Sequence, residues 1–252
     1  MQVHRYREVE VFHQNQFSSV ALCEDICDKN KLYIVKTIKC SQVMFANELY
    51  ALSLLKDSQY VPKLINSFQC TDCVWKIVLD YVPSKTLKAY GKLTPKQTRQ
   101  LFNAYQSVLN ALYKGGLILL DVKPDNILVN ENGMCFIIDF GGCVYERSIN
   151  HTSTLVYTEG YLPPEWEAGM VFTPRLFRRI AVWSIGLTLY YALYGDLMIE
   201  RSMKKTCLGQ RQYTRRESTP DGSNDIVTLI KKLLNVYTHR LSYRKLLAYK
   251  LN

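Results

Sequence analysis

Four polar side chains, those of Asp121, Lys123, Asn126 and Asp139, form a set with recognisable chemistry. A carboxylate at Asp121 can accept a proton from an attacking hydroxyl, and the ammonium of Lys123 can offset charge on a group in transfer. The amide oxygen of Asn126 and the carboxylate of Asp139 are hard oxygen ligands that suit Mg²⁺. Their spacing predicts a site with a proton acceptor, a cation and two metal ligands.

A loop and a hairpin must position these side chains. Residues 119–130 read L-L-D-V-K-P-D-N-I-L-V-N, in which Pro124 fixes a bend before an apolar run. Asn132 and Gly133 signal a turn, and a second apolar run over residues 135–138 leads to the second carboxylate. We predict a catalytic loop, a β-hairpin, and a carboxylate at the hairpin's far end.

Composition limits the class of protein. The chain of 252 residues is long enough for one domain with a substantial core, and we expect a single domain over residues 1–252. Because no apolar run reaches membrane-spanning length and the N-terminus lacks a signal-peptide pattern, we expect an intracellular, soluble protein of the cytoplasm or nucleus. The net charge of +10 favours nucleic acid or acidic protein surfaces as partners, although a solvated basic surface is the commoner cause.

The eight cysteines are scattered, as expected of reduced thiols. Cys70 and Cys73 have the spacing of a zinc-binding pair, and Cys23 and Cys27 could supply a second pair. We expect both pairs to lie in turns between strands, and spacing alone does not bring them together. A structural zinc is therefore the less favoured interpretation.

The pattern around Asp121 resembles that of the eukaryotic-type Ser/Thr protein kinases. Those enzymes carry H-R-D-x-K-P-x-x-N followed by D-F-G, and this chain has L-L-D-V-K-P-D-N and then D-F-G at positions 139–141. The resemblance makes Asp121 and Lys123 catalytic, Asn126 and Asp139 metal-binding, and Phe140 and Gly141 structural. ATP and Mg²⁺ are the implied cofactors.

The same resemblance implies an α+β, bilobal fold. A small N-lobe over residues 1–80 would hold an antiparallel sheet and one helix, and a mainly helical C-lobe would cover residues 84–252. Residues 80–83 would form the hinge.

The strand and helix of the N-lobe carry the expected nucleotide contacts. Residues 31–36 alternate as a strand and resemble the family's V-A-I-K, so Lys36 is the expected phosphate-binding lysine and Ile34 lines the adenine pocket. A surface lysine is the alternative. Glu48 is the only acid of the helix predicted over 45–55 and is the expected ion-pair partner of Lys36.

Two further strands are predicted, over residues 61–68 and 74–79. The resemblance makes Leu79 the gatekeeper before the hinge. It assigns the remaining adenine contacts to the backbone of the hinge residues Asp80 and Val82 and to the side chains of Val20 and Leu128, which would sandwich the ring. For the apolar residues, plain core packing is the alternative.

The first predicted hairpin, over residues 9–20, departs from the family. Relatives carry G-x-G-x-x-G-x-V there, whereas residues 13–20 contain no glycine. Glycine lets backbone N–H groups approach phosphates closely. Because Ser18 is small and Asn15 tolerates a left-handed backbone, we expect the loop to cover ATP. Because it has no glycine, we expect it to bind ATP less tightly.

Three more motif positions differ. Leu119 and Leu120 replace a histidine and an arginine, and that arginine normally receives a phosphate on the activation segment. We therefore expect an enzyme that needs no such phosphorylation. Ala181 opens a helix predicted to run to about Leu193 and replaces an aspartate that braces the catalytic loop, so a different support is expected.

The segment after D-F-G carries acceptor and anchoring signals. Thr158 falls where Ser/Thr kinases place a hydroxyl against the catalytic aspartate and lysine, which favours serine or threonine as the acceptor. Glu165 is expected to form a structural ion pair with Arg240, with Arg244 as the competitor.

Helical signals complete the chain. Thr94 and Pro95 predict a helix cap before 96–114, and closing helices are predicted over 226–236 and 243–250. Residues 201–216 are rich in lysine and arginine, so they could dock an acidic partner or nucleic acid, although a solvated loop is favoured.

The favoured hypothesis is an ATP-dependent Ser/Thr protein kinase with a protein substrate. The alternative is a pseudokinase that serves as a nucleotide-binding or scaffolding module, and the glycine-free loop and Ala181 favour it. Nucleic-acid binding is supported by net charge alone. The compact size and motif departures resemble kinases of large DNA viruses, of the baculovirus type, which implies a basic, serine/arginine-rich nucleoprotein as substrate.

Overall fold

A five-stranded antiparallel sheet forms the N-terminal part of this computed structural model, which describes residues 5–149, 158–164, 166, 171–196, 225–235 and 237–251. The spatial order of its strands is β1-β2-β3-β5-β4. The strands are β1 (Tyr6–Gln14), β2 (Ser18–Asp25), β3 (Asp28–Lys39), β4 (Leu64–Thr71) and β5 (Val74–Asp80). The predicted hairpin at the N-terminus is therefore confirmed. The strand predicted from Val61 begins three residues later, and β5 extends into the predicted hinge to include Asp80.

Helix α1 (Gln42–Leu54) packs on one face of this sheet. It begins three residues before the predicted start because the Ser41 side chain accepts the backbone N–H of Met44 and so caps the helix. Its buried residues are Glu48, Ala51 and Leu52. The helix therefore turns one acid towards the sheet together with its apolar residues.

The remaining elements build a mainly helical large lobe. Its helices are α2 (Leu87–Tyr90), α3 (Pro95–Lys114), α4 (Pro174–Tyr194), α5 (Asp225–Leu233) and α6 (Tyr243–Leu247). Its short strands are β6 (Ser84–Thr86), β7 (Leu117–Leu119), β8 (Ile127–Asn130), β9 (Cys135–Ile137) and β10 (Cys143–Tyr145). One lobe is an antiparallel sheet with a single helix packed on it, and the other is mainly helical. This confirms the predicted bilobal α+β architecture.

Helix α3 has the predicted cap and begins at Pro95, one residue before the predicted start. Thr94 and Gln97 form a reciprocal capping box, and Pro95 occupies the first turn. Leu101 and Leu112 are completely buried. The helix ends at Gly115 and the chain passes directly into β7 and the catalytic loop.

Helix α4 is longer than predicted. It begins at Pro174, seven residues before Ala181, because the Thr173 side chain accepts the N–H of Leu176 and Pro174 suits the first turn. It continues to Tyr194, and Gly195 ends it in a left-handed conformation. Most of the helix is buried inside the large lobe. None of the helices in the described ranges is long and apolar enough to cross a membrane.

The C-terminal helices are shorter than predicted. Helix α6 ends at Leu247 instead of Lys250, because the Gln106 side-chain amide lies 2.9 Å from the carbonyl of Leu246 and 2.7 Å from that of Tyr249. These carbonyls are satisfied by α3 rather than by another helical turn. Helix α5 ends at Leu233, and the predicted end at Val236 lies outside the described residues.

The cysteine pairs were placed partly wrongly. Cys23 and Cys70 lie within β2 and β4, whereas Cys27 and Cys73 lie in turns. Cys27 is at the end of the sheet where Asp25 pairs with Asp28, and Cys73 is at the opposite end, beyond the pair of Lys39 with Val74. The two cysteine pairs therefore lie towards opposite ends of the sheet. Within the described ranges, no group of three or more His, Cys, Asp or Glu residues could hold a metal ion.

Candidate active site

Lys36 lies at the centre of a charged group between the lobes. Its Nζ atom is 2.6 Å from Glu48 Oε2 and 2.6 Å from Asp139 Oδ1. Strand β3, helix α1 and the end of the β8–β9 hairpin thus deliver one group each. The sequence-predicted lysine, its helix partner and the D-F-G carboxylate are brought together.

Burial and neighbouring charge together set the pKa values of Lys36, Asp139 and Glu48. Burial would lower the pKa of Lys36, but the carboxylates of Glu48 and Asp139 raise it, so the ammonium form persists. Burial acts to raise the pKa of Asp139, and the Lys36 ammonium outweighs it and holds that pKa below its usual range. The pKa of Glu48 is raised, because its burial outweighs the attraction of Lys36.

The backbone of Asp139 is left-handed, with φ of 63°. This conformation is uncommon outside glycine, and asparagine and aspartate adopt it most readily. It brings Oδ1 within 3.4 Å of the Gly141 N–H, while Phe140 is buried in the core. A Cβ atom at Gly141 would lie 3.3 Å from Glu48 Oε2, so the glycine permits this close approach.

The catalytic loop arranges three polar groups around Asp121. The Thr158 hydroxyl donates to Asp121 Oδ1 at 2.7 Å, and Lys123 Nζ donates to Oδ2 at 2.7 Å. Lys123 Nζ also lies 2.9 Å from the Thr158 hydroxyl oxygen. The carboxylate is therefore held from both sides, and the predicted neighbourhood of Thr158 is present.

Asn126 and Asp139 are suitable ligands for a divalent cation. Asn126 is buried in a short helical turn after Pro124, and its Nδ2 donates to the Asp121 carbonyl at 2.9 Å and to Asp121 Oδ2 at 3.2 Å. With the nitrogen so engaged, the amide oxygen is the atom that could bind a cation. Asp139 keeps 40% of its side chain exposed, and Oδ2 is available beside the Lys36-bound Oδ1. A carboxylate and an amide oxygen fit Mg²⁺.

The side chains expected to contact adenine share one face of the five-stranded sheet, except for that of Leu128, which lies in β8. Val20 is paired with Lys36, and Leu79 is paired with Ile34, so all four lie on the same face of the sheet. Val20, Ile34 and Leu79 are half-buried, as is Leu128 in β8. Because they are partly exposed, these side chains are accessible to a ligand.

The hinge segment follows directly after β5. The Asp80 backbone N–H donates to the Lys63 carbonyl at 3.0 Å, and the Asp80 carboxylate accepts the Lys63 backbone N–H. The Val82 carbonyl accepts the Ser84 hydroxyl at 2.7 Å. These bonds leave the Asp80 carbonyl and the Val82 N–H as the candidate adenine contacts.

The turn between β1 and β2 has a different construction from the predicted one. Among described residues other than glycine, positive φ occurs at Cys40 and Asp139, so Asn15 is not left-handed. Its side chain acts instead: Oδ1 accepts the backbone N–H groups of Phe17 and Ser18, each at 2.8 Å. An Asx-type turn therefore takes the place of glycine.

Other side chains support the catalytic machinery where the family motifs are altered. Leu119 and Leu120 are buried in the core together with Phe140. Ala181 is completely buried, and on the same helix the Thr188 hydroxyl lies 3.3 Å from the Val122 carbonyl. Helix α4 thus still contacts the backbone of the catalytic loop.

Three contacts fix the segment that follows Gly141. The Asn47 side-chain amide, next to Glu48 on α1, donates to the Cys143 carbonyl at 3.0 Å. Tyr50 stacks on Tyr145 with ring centroids 5.4 Å apart, and Arg178 forms an ion pair with Glu146. Sequence reasoning missed these residues, and it assigned Asn15 a backbone role instead of a side-chain one, because a side-chain bond to a backbone group requires no fixed spacing.

Glu165, the expected ion-pair partner of Arg240, lies outside the described residues. Residues 150–157 and the basic segment 201–216 lie outside them as well. Arg240 is buried, and its guanidinium lies over the Trp183 ring at 4.6 Å. Arg244 is exposed and donates to the Tyr113 hydroxyl at 3.2 Å. Burial favours Arg240 as the structural arginine.

Comparison with known proteins agrees with this geometry. A family model, the protein kinase domain, matches residues 6–251. The chain is 29% identical to Aurora kinase C of Mus musculus over 181 residues, which cover 69% of this chain and 63% of that protein. It is 26% identical to Rho-associated protein kinase let-502 of Caenorhabditis briggsae over 251 residues, or 94% of this chain and 21% of that protein.

A bacterial relative is similar as well. Serine/threonine-protein kinase PrkC of Bacillus subtilis is 25% identical over 207 residues, which cover 77% of this chain and 31% of that protein. The chain thus spans less than two thirds of the length of each of these relatives. Because the family match runs from β1 almost to the last residue and the fold agrees with it, the chain belongs to the protein kinase domain family.

Proposed function

We propose that this chain is an ATP- and Mg²⁺-dependent protein kinase that phosphorylates serine or threonine. The observation that carries the proposal is the contact of Lys36 with both Glu48 and Asp139, at 2.6 Å each. This contact requires the helix, the sheet and the D-F-G segment to be in register at once. It supports a site assembled for nucleotide chemistry rather than three unrelated charged residues.

Each polar residue has a place in such a reaction. Lys36 would bind the α- and β-phosphates, and Glu48 would fix its position. Asn126 and Asp139 would hold Mg²⁺, which when bound neutralises phosphate charge and orients the γ-phosphoryl group. These roles depend on positioning and electrostatics, which supply most of the rate enhancement in phosphoryl transfer.

The acceptor hydroxyl would be activated by Asp121. Thr158 donates a hydrogen bond to Oδ1 of this carboxylate and Lys123 donates one to Oδ2. The carboxylate is therefore already oriented before the reaction begins. Asp121 would orient the hydroxyl and accept its proton, and Lys123 would offset negative charge on the phosphoryl group. The hydrogen bond from Thr158 supports serine and threonine as acceptors.

Phosphate transfer tests this proposal directly. Purified protein is incubated with γ-labelled ATP, Mg²⁺ and a generic protein substrate, and wild type is compared with Asp121→Asn, which keeps the shape of the side chain. We expect labelled phosphoserine or phosphothreonine from wild type and a loss of at least about a hundredfold in the variant. Equal labelling by both proteins would contradict the proposal.

The pseudokinase hypothesis is the second candidate, and the Asn15 turn favours it because relatives use glycine there. It predicts nucleotide binding or a scaffolding role with no transfer above the Asp121→Asn background. The same assay therefore separates the two functions.

The identity of the protein substrate and the source of the chain stay predictions. A net charge of +10 favours an acidic substrate surface over a basic nucleoprotein. A basic nucleoprotein, nucleic-acid binding and the resemblance to viral kinases gain no support from the family match.

A further inference from the structure

The turn between β1 and β2 is closed by one side chain. Asn15 Oδ1 accepts the N–H groups of Phe17 and Ser18, each at 2.8 Å, and Asn15 Nδ2 lies 3.0 Å from His13 Nε2. The Asn15 backbone N–H also donates to the Ser18 carbonyl at 2.9 Å. Both ends of the amide are therefore engaged by the turn itself.

This turn lies at the end of β3, two to three residues beyond the expected nucleotide lysine. Val20 pairs with Lys36 in the β2–β3 register, and Ser18 pairs with Ile38 two positions further along. The Lys39 N–H donates to the Phe17 carbonyl at 2.8 Å, which holds the tip against the end of β3. The N–H groups of Ser18 and Phe17 thus lie about 7 Å and about 10 Å beyond the Val20 position along the strand.

Backbone N–H groups at a tight turn are the donors that a phosphate needs. Here an amide oxygen already accepts two of them, so a phosphate oxygen can use these donors only after it displaces Asn15. We propose that the Asn15 side chain is an internal competitor for the phosphates of ATP and sets the affinity of this chain for them. This inference rests on the proposed function, since it concerns the same nucleotide site.

The competition makes a specific prediction about ligands. Removal of the acceptor by Asn15→Ala should tighten ATP binding about fivefold to tenfold, the effect of about one hydrogen bond. Adenosine lacks phosphates, so its affinity should not change. Asn15→Asp keeps the acceptor and adds negative charge, and it should weaken ATP binding at unchanged adenosine affinity.

Calorimetric titration of each variant with ATP·Mg²⁺ and with adenosine tests the inference. Gln16→Ala is the matched control, because Gln16 is an exposed neighbour in the same turn and should leave both affinities unchanged. A melting temperature equal to that of wild type verifies the fold of each variant.

Unchanged or weaker ATP binding by Asn15→Ala would overturn the inference, as would an equal gain in adenosine affinity. In either case a wild-type chain that binds ATP and transfers phosphate would leave the proposed function in place. A wild-type chain that binds neither ligand would remove the proposed function and the inference together.

Discussion

The hydroxyl of Thr158 donates a hydrogen bond to Asp121 Oδ1 over 2.7 Å, although the two residues are 37 positions apart in the chain. The contact joins the segment after D-F-G to the catalytic loop, and Lys123 binds both partners. The position of the Asp121 carboxylate therefore depends on where that segment lies.

The first prediction concerns this contact. Thr158→Ala removes a hydrogen bond to a charged group, so kcat should fall about 10- to 100-fold while the KM for ATP changes little. Thr158→Ser keeps the hydroxyl and should retain most of the activity. Steady-state kinetics of both variants would check this, and equal losses would show that the methyl group rather than the hydroxyl matters.

The second prediction concerns Asn47. Its amide joins α1, which carries Glu48, to the Cys143 carbonyl, so Asn47→Ala should loosen the Lys36–Glu48 contact and lower kcat about threefold to tenfold. Ser53→Ala, an exposed change on the same helix, is the control and should be neutral. A drop in melting temperature without a change in kcat would contradict the coupling.

The third prediction concerns activation. The arginine that receives an activating phosphate in relatives is replaced by the buried Leu120, and the ion pair of Arg178 with Glu146 fixes the nearby chain. Treatment of purified protein with phosphatase should therefore change kcat by less than about twofold. Mass spectrometry would verify that phosphate has been removed, and a large loss of activity would show that a phosphate is required.

The fourth prediction concerns the packing of α4 on α5. A Cβ atom at Gly186 would lie 2.8 Å from Leu233 Cβ and from Leu234 Cδ2. Gly186→Ala should thus destabilise the fold by about 1–3 kcal/mol, seen as a lower melting temperature. Gly160→Ala is the matched control, because a Cβ atom there meets no atom of the described residues within 4 Å. Equal melting temperatures for the two variants would contradict the close packing.

The fifth prediction concerns the thiols. Burial raises the pKa of Cys23 to about 11 and that of Cys135 to about 12. Each stays protonated below its pKa, and the thiolate is the reactive form. At pH 8 iodoacetamide should therefore label the exposed Cys27, Cys40 and Cys73 and leave the buried pair unlabelled until urea is added. Peptide mapping would show the order, and early labelling of Cys23 would contradict it.

Much of the candidate site could be predicted because the protein kinase motifs carry particular polar groups in a fixed order. Asp121, Asn126 and Asp139 lie on one loop and one hairpin, so their spacing is set by local geometry. Lys36 and Glu48 are joined across separate elements, and their pairing was predicted from the resemblance of the strand to the family's V-A-I-K together with the single acid of the helix.

The boundaries were harder to predict because caps override periodicity. Ser41 and Thr173 each start a helix several residues before its apolar pattern begins. The end of α6 depends on Gln106, which is distant in sequence. The bonds of Asn15 and Asn47 to backbone groups likewise follow from the folded geometry and leave no periodic signal.

The left-handed backbone at Asp139 decides which inactive variant is most useful for crystallography. Alanine would have to enter this conformation at a cost of about 1 kcal/mol, and the segment would be inclined to relax. Asparagine adopts it readily, so Asp139→Asn would remove the charge and preserve the architecture around it. An amide in place of the acid should thus yield a protein that keeps the backbone of this segment and lacks one candidate ligand of the metal.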